Sequence, residues 1–221
     1  MPCVHSSPAA RMSTIAIHRI GRKPDPWQYP DWSRANPDRT FGNRFDDPNG
    51  EYRVLYASSV RLGCFLETLA RYRPDIALFA ELHEIAGEDD FVPPGIVPRE
   101  WLNDRRMGSA SCQGTFADIG ATEWISKLRR DLAGLLISLG VPDFDASVLQ
   151  RSAPRILTHR ISEFVYSEGF DGIRYLSKYG NDIENWALFE PADLTAANQR
   201  AIPPHDPDLN KALRIFSLTL G

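Results

Sequence analysis

The sequence predicts a single α+β domain. Strand-like and helix-like segments are mixed without the regular strand–helix–strand rhythm of a parallel sheet. No internal repeat, low-complexity tract or linker divides the chain into two cores. The 221 residues, 43% hydrophobic and 24% charged, have an ordinary globular composition. A chain of this length buries roughly 70% of its unfolded surface, so it needs no disulfide or metal to fold.

The elements follow in chain order. Residues 1–13 read as a disordered lead, within which Met12 is an alternative start, and the domain is expected over 14–221. Thr14–Ile20 alternates and reads as a strand. Residues 21–43 carry Pro24, Pro26, Pro30 and Pro37, each of which removes a backbone donor, so they form a long loop. Asp47-Pro48-Asn49-Gly50 is a turn. Tyr52–Ser58 is aromatic and β-branched, hence a strand. Ser58 or Ser59 is placed to cap a helix over Val60–Arg73, ended by Pro74. Ile76–Ile85 reads as a strand, and residues 86–120, with Pro93, Pro94 and Pro98, as an irregular stretch. Helices are expected at Thr122–Leu139 and Ala153–Glu168, stopped by Gly140 and Gly169. Gly172–Leu176 and Trp186–Glu190 are short apolar strands. Residues 191–209 read as a loop, and Leu213–Leu220 as a terminal strand.

Several function classes are excluded by simple counts. With 25 Lys+Arg against 29 Asp+Glu, the net charge is −4, which argues against a nucleic-acid partner. The short basic cluster Lys127–Arg130 reads as a solvated helix face, and Glu88–Asp90 as solvated loop. Cys3, Cys64 and Cys112 are odd in number and far apart, which suggests a reducing, cytoplasmic setting. No run approaches the ~18 apolar residues of a membrane span, and the first residues lack the features of a signal peptide. Neither common nucleotide fingerprint, GxGxxG or GxxxxGK[ST], is present. His83-Glu84 lacks a second His at helical spacing, and no metal site is expected.

Three blocks remain. Gly42-Asn43-Arg44-Phe45 closes the proline-rich loop. Val54-Leu55-Tyr56-Ala57 is followed, eleven residues after Tyr56, by Glu67, which shares a helix stripe with Gly63. Gly169-Phe170-Asp171-Gly172-Ile173-Arg174-Tyr175-Leu176-Ser177 precedes Trp186–Phe189. Singly, each has an ordinary structural explanation: a surface Glu, a loop-anchoring Arg, a core Tyr, a strand-ending Ser.

In this order, from roughly Ile17 to Phe216, the blocks resemble the RES-domain family, with Arg19 in the HRI strand as a further match. The resemblance implies an ADP-ribosyltransferase-like fold, with two small sheets around a cleft for NAD⁺. It implies an NAD⁺-degrading enzyme, above all an NAD⁺ phosphorylase passing ADP-ribose to inorganic phosphate. A protein ADP-ribosyltransferase and an NAD⁺ glycohydrolase are the alternatives, and a catalytically silent nucleotide-binding or interaction module is the alternative from another class. Under the resemblance Glu67 stabilises positive charge on the ribose and Arg44 grips the pyrophosphate. Tyr56 walls the nicotinamide side, and Ser177 hydrogen-bonds ribose or orients Glu67. Arg19 is a second phosphate candidate. Arg174 is either a spare phosphate ligand or, as strand alternation relative to Ser177 suggests, a partner of surface acids. No metal is called for. The family also implies a toxin role with a helix-turn-helix antitoxin, and a homo-oligomer is left open. Two features depart from the pattern. Asn43 stands where a second glycine is common, and 86–120 and the tail beyond Pro191 make this chain larger than compact toxin members.

Overall fold

A computed structural model describes residues 12–74, 95–150 and 154–221. The strand expected at Ile76–Ile85 lies outside these residues, as do His83, Glu88–Asp90 and all but the end of the expected lead. Eight strands are described: β1 (Met12–Arg22), β2 (Val54–Ser58), β3 (Gly95–Val97), β4 (Arg105–Asp118), β5 (Gly172–Ser177), β6 (Gly180–Phe189), β7 (Asp193–Ala201) and β8 (Leu218–Leu220). The helices are α1 (Arg61–Leu69), α2 (Arg99–Asn103), α3 (Thr122–Asp131), α4 (Ala133–Ser138), α5 (Ala146–Gln150), α6 (Arg155–Ser167) and α7 (Pro207–Ile215).

Six strands form one sheet whose pairing closes on itself. β1 pairs with β2 and with β4, β2 with β6, β6 with β5, and β5 in parallel with the end of β4. β7 lies on the other edge of β4. Five strands close the ring, and with β7 the sheet divides into two three-stranded halves, β7-β4-β1 and β2-β6-β5. They meet at the His18↔Ser58 pair and at Phe116–Asp118 against Gly172–Arg174. β3 and β8 form a separate two-stranded parallel ladder.

Alternation along β2 and β6 fills both faces of their half-sheet. Leu55, Ala57, Trp186 and Leu188 point inward against Ile17, Ala110 and Cys112 of the other half. Val54, Ala187 and Phe189 point outward, where Leu128, Leu157 and Ile161 of α3 and α6 cover them. A third apolar cluster packs Phe65, Leu66 and Leu69 of α1 against Leu209 and Leu213 of α7 and against Ile20, Met107 and Ile183.

Several sequence expectations need correction. The stretch 86–120 is not irregular where it is described: it contains β3, α2 and the 14-residue β4. β4 is rich in Gly, Ser and Ala and has weak strand propensity, but β1 pairs with it from Met12↔Thr115 to Arg22↔Arg105 while β7 takes its other edge. The loop expected at 191–209 holds β7, an exposed polar strand with no apolar alternation to reveal it. The terminal strand expected at Leu213–Leu220 begins inside α7, which runs to Ile215, and only Leu218–Leu220 is strand. The Asp206 carboxylate accepts from the N–H groups of Asp208 (3.0 Å) and Leu209 (3.3 Å), and Pro207 opens the helix. The helix expected at Thr122–Leu139 breaks at Leu132 into α3 and α4. Neither serine caps α1: its N-cap is Val60, and Ser58 Oγ donates instead to the Glu184 carbonyl at 3.1 Å.

Candidate active site

A cleft of about 1090 Å³ opens where β1, β2, α1 and the β5–β6 hairpin meet, bordered by the proline-rich loop. It is larger than the ~300–1,000 Å³ typical of small-ligand pockets. Arg19, Arg44, Tyr56 and Glu67 all line it; Ser177 does not.

Arg44 is carried on a firmly tied loop. The buried Asp46 carboxylate accepts from the N–H groups of Phe41 (2.8 Å) and Asn43 (2.7 Å). The Tyr56 hydroxyl accepts from the Phe45 N–H at 2.8 Å, and Ser162 Oγ of α6 donates to the Phe45 carbonyl at 2.7 Å. Gly42 sits at φ +75°, which favours glycine, while Asn43 is not in the left-handed region, so the missing second glycine costs the backbone nothing. The Arg44 guanidinium lies 5.3 Å from the ring centroids of both Phe45 and Tyr175. Burial lowers its pKa, opposed by Tyr175 and Glu67. Its Nη2 is buried and has no hydrogen-bond partner among the described residues. That orphaned donor is the kind of group an anion completes.

Arg19 is differently employed. Its Nε donates to the Pro26 carbonyl and its Nη1 to the Tyr56 carbonyl, both at 2.7 Å, so it staples the loop to β2 at the cleft wall. The Tyr56 hydroxyl is likewise engaged with the Arg44 loop, which leaves its ring to face the cleft.

α1 presents Cys64, Glu67 and Thr68 to the cleft, the i, i+3, i+4 stripe of a helix, and Arg71 follows in the 3-10 turn Ala70–Tyr72. Gly63, on the sheet side, lets the helix approach closely: a Cβ there would lie 2.2 Å from Ser58 Oγ and 2.7 Å from Ile183 Cγ2. Glu67 is exposed to the cleft, although its neighbours Gly63 to Leu66 are buried. Its Oε1 accepts two hydrogen bonds, from Ser177 Oγ and from Asn185 Nδ2, each 2.7 Å. Ser177 Oγ in turn accepts from the Tyr179 N–H at 3.1 Å, which directs the hydroxyl proton toward Glu67. The Oε2 atom has no partner among the described residues. Cys64 beside it is no ready nucleophile, since burial pushes its thiol up to about 12.

The cleft is strongly cationic on an acidic protein. Nine Arg and Lys line it against three acids, Asp25, Asp31 and Glu67. Arg155 opens α6, whose N-cap Pro154 makes no side-chain cap, and its charge lowers the pKa of Arg44 further. Arg22 and Arg105 are directly paired across β1 and β4, an unfavourable like-charge arrangement. Burial, then Arg22 and Arg71, lower the Arg105 pKa. Arg174 is elsewhere: it bridges Asp118 and Glu184, as strand alternation indicated. Among the described residues, no group of three or more His, Cys, Asp or Glu is placed to hold a metal, and no helix is long and apolar enough to cross a membrane.

The sequence blocks missed Asn185, Arg155, Arg71 and Arg105. Asn185 stood one residue before the apolar run that marked β6. The three arginines reach the cleft through register and helix phase, which spacing alone does not reveal.

Fold and cleft together place the chain: residues 16–210 match the RES domain model, so it belongs to the RES domain family. Among solved structures it is similar to a chain in the crystal structure of the M. tuberculosis MbcT–MbcA toxin–antitoxin complex. The identity is 12% and the TM-score 0.49, with 93% of this chain and 92% of that chain covered. A comparison with curated proteins gives no match.

Proposed function

We propose that the protein cleaves the nicotinamide–ribose bond of NAD⁺ and transfers ADP-ribose to inorganic phosphate. The observation that carries this reading is Glu67, gripped on one oxygen by Ser177 and Asn185 with the other open to a cationic cleft. NAD⁺ is the family's implied substrate, and the cleft offers what its chemistry needs.

The glycosidic bond of NAD⁺ breaks with its electron pair moving to the ring nitrogen. The cationic pyridinium thereby leaves as neutral nicotinamide, and no general acid is required. Positive charge grows on the ribose as the bond lengthens, and Glu67 Oε2 is the group to oppose it. Arg44 Nη2, with Arg155 and the start of α6, would take the pyrophosphate. The Tyr56 ring would wall the nicotinamide side. Ser177 is the positioning partner of Glu67, and Arg19 holds the wall from which Tyr56 projects. A phosphate oxygen then bonds to the anomeric carbon, giving ADP-ribose 1″-phosphate. Arg22, Arg71 and Arg105 leave cationic capacity beyond what one pyrophosphate uses, which favours an anionic acceptor over water.

The test is nicotinamide release from NAD⁺ with and without phosphate, followed by product mass. Phosphate should raise the rate saturably and appear in the product. Plain ADP-ribose at every phosphate concentration makes the enzyme a glycohydrolase, and label retained on protein makes it a protein ADP-ribosyltransferase. Glu67→Gln should lower turnover at least ~100-fold with NAD⁺ affinity little changed. Normal turnover in the folded variant removes Glu67 from the mechanism, and absence of nicotinamide release by the wild type supports a silent module. The toxin role and a helix-turn-helix antitoxin rest on the family resemblance. Induced expression should deplete cellular NAD⁺ and stop growth, and Glu67→Gln should do neither.

A further inference from the structure

We infer that Asn185 is the positioning residue that aims Glu67, and that its amide oxygen accepts a hydrogen bond from a hydroxyl or amide N–H of the bound nucleotide. The inference rests on the reading of Glu67 given above.

Asn185 lies on β6 with 1% of its surface exposed, yet it borders the cleft. Its backbone is fixed between two strands, paired with Ser58 on one side and Tyr175 on the other. Its Nδ2 donates to Glu67 Oε1 at 2.7 Å, sharing that oxygen with Ser177 Oγ. Two donors on one oxygen lock the carboxylate plane and leave Oε2 as the oxygen presented to a ligand. A donor pair from rigid strands also compensates for the freedom of a long side chain on a helix. The other end of the same amide is unsatisfied: Oδ1 is buried and has no partner among the described residues. An acceptor left bare in a buried site is costly unless something bound there supplies a donor. Arg44 Nη2, on the same cleft, is bare in the opposite sense and calls for an acceptor. One bare donor and one bare acceptor around Glu67 match a ligand that carries both an anion and hydroxyl or amide donors, as a dinucleotide does.

The experiment compares Asn185→Leu and Asn185→Asp, with Glu67→Gln in parallel. In Asn185→Leu, kcat should fall at least ~30-fold, the scale of a misaimed catalytic group, and the KM for NAD⁺ should rise as the Oδ1 contact is lost. In Asn185→Asp the acceptor remains, so KM should stay near that of the wild type. Its kcat should be low at about pH 8, where two adjacent carboxylates repel. It should recover as the pH falls, because a single proton shared by the pair restores an O–H donor to Oε1. The Ser177 bond to Glu67 favours that proton residing on the introduced carboxylate rather than on Glu67. The charged or titratable groups near the pair include Arg44, Cys64 and Tyr175, whose thiol and hydroxyl burial pushes up, and His18 across from Ser58, whose pKa burial lowers. All of them are present in the wild type, so recovery on acidification confined to the Asn185→Asp variant isolates the amide. Near-normal kcat in folded Asn185→Leu, or a uniformly low pH profile in Asn185→Asp, overturns the inference. If Glu67→Gln itself turns over normally, the reading of Glu67 fails. If Glu67→Gln is inactive while both Asn185 variants are normal, the positioning role alone fails.

Discussion

Arg44 and Arg19 show how differently two arginines on one cleft can be used. Arg19 spends two of its N–H groups on backbone carbonyls, while Arg44 keeps a buried N–H without any partner among the described residues. Arg44 is therefore the expected phosphate ligand. Arg44→Ala and Arg44→Lys should both weaken NAD⁺ binding at least ~10-fold by calorimetric titration, since an ammonium cannot reproduce the planar fork. Unchanged affinity in both variants would transfer the role to Arg155. At this scale the sequence named Arg44, Glu67 and Ser177 by type and order, and the structure brings Arg44 and Glu67 to one cleft with Ser177 hydrogen-bonded to Glu67. What the order could not convey was direction. Ser177 stands behind Glu67 and outside the cleft wall, because its hydroxyl is turned to Oε1 by the Tyr179 N–H. Asn185 went unremarked because its contact with Glu67 arises only when β6 packs against α1.

Among the elements, α1 has a strict packing requirement. Gly63 faces Ser58 and Ile183 so closely that any Cβ must move the helix or the sheet. Gly63→Ala should destabilise the fold by about 1–3 kcal/mol, lowering Tm by roughly 2–10 °C in scanning calorimetry. It should also reduce kcat through Glu67, one turn away. A variant with unchanged Tm and kcat would show that α1 has room it is not seen to have. The elements legible in the sequence were those whose local signals agreed with their packing. β2 is aromatic and β-branched, and α6 ends at Gly169 with φ +80°. β4 and β7 were illegible because their residues are small or polar and strand form is imposed by neighbours distant in sequence. α7 did carry a start signal, Asp206-Pro207, but the alternation of Leu213–Leu220 obscured it.

For the molecule as a whole, the charge distribution outweighs the net charge. A protein at −4 places nine cations and three acids around one cleft, so its far field repels anions while the cleft attracts them. Raising sodium chloride from about 20 to about 300 mM at fixed phosphate shortens the screening length severalfold. The value of kcat/KM for NAD⁺ should then fall at least ~3-fold, and steady-state kinetics showing no salt dependence would remove the focusing role of the arginines. Net charge alone suggested none of this, because charge counts carry no geometry. Chain order has a consequence of its own. Glu67 is translated early, but its two hydrogen-bond partners follow 110 and 118 residues later. On the proposed function, the nascent polypeptide would therefore carry this carboxylate unaimed until β6 emerges. A product truncated before β5 would then be inert, and only one elongated through β6 could begin to consume the dinucleotide.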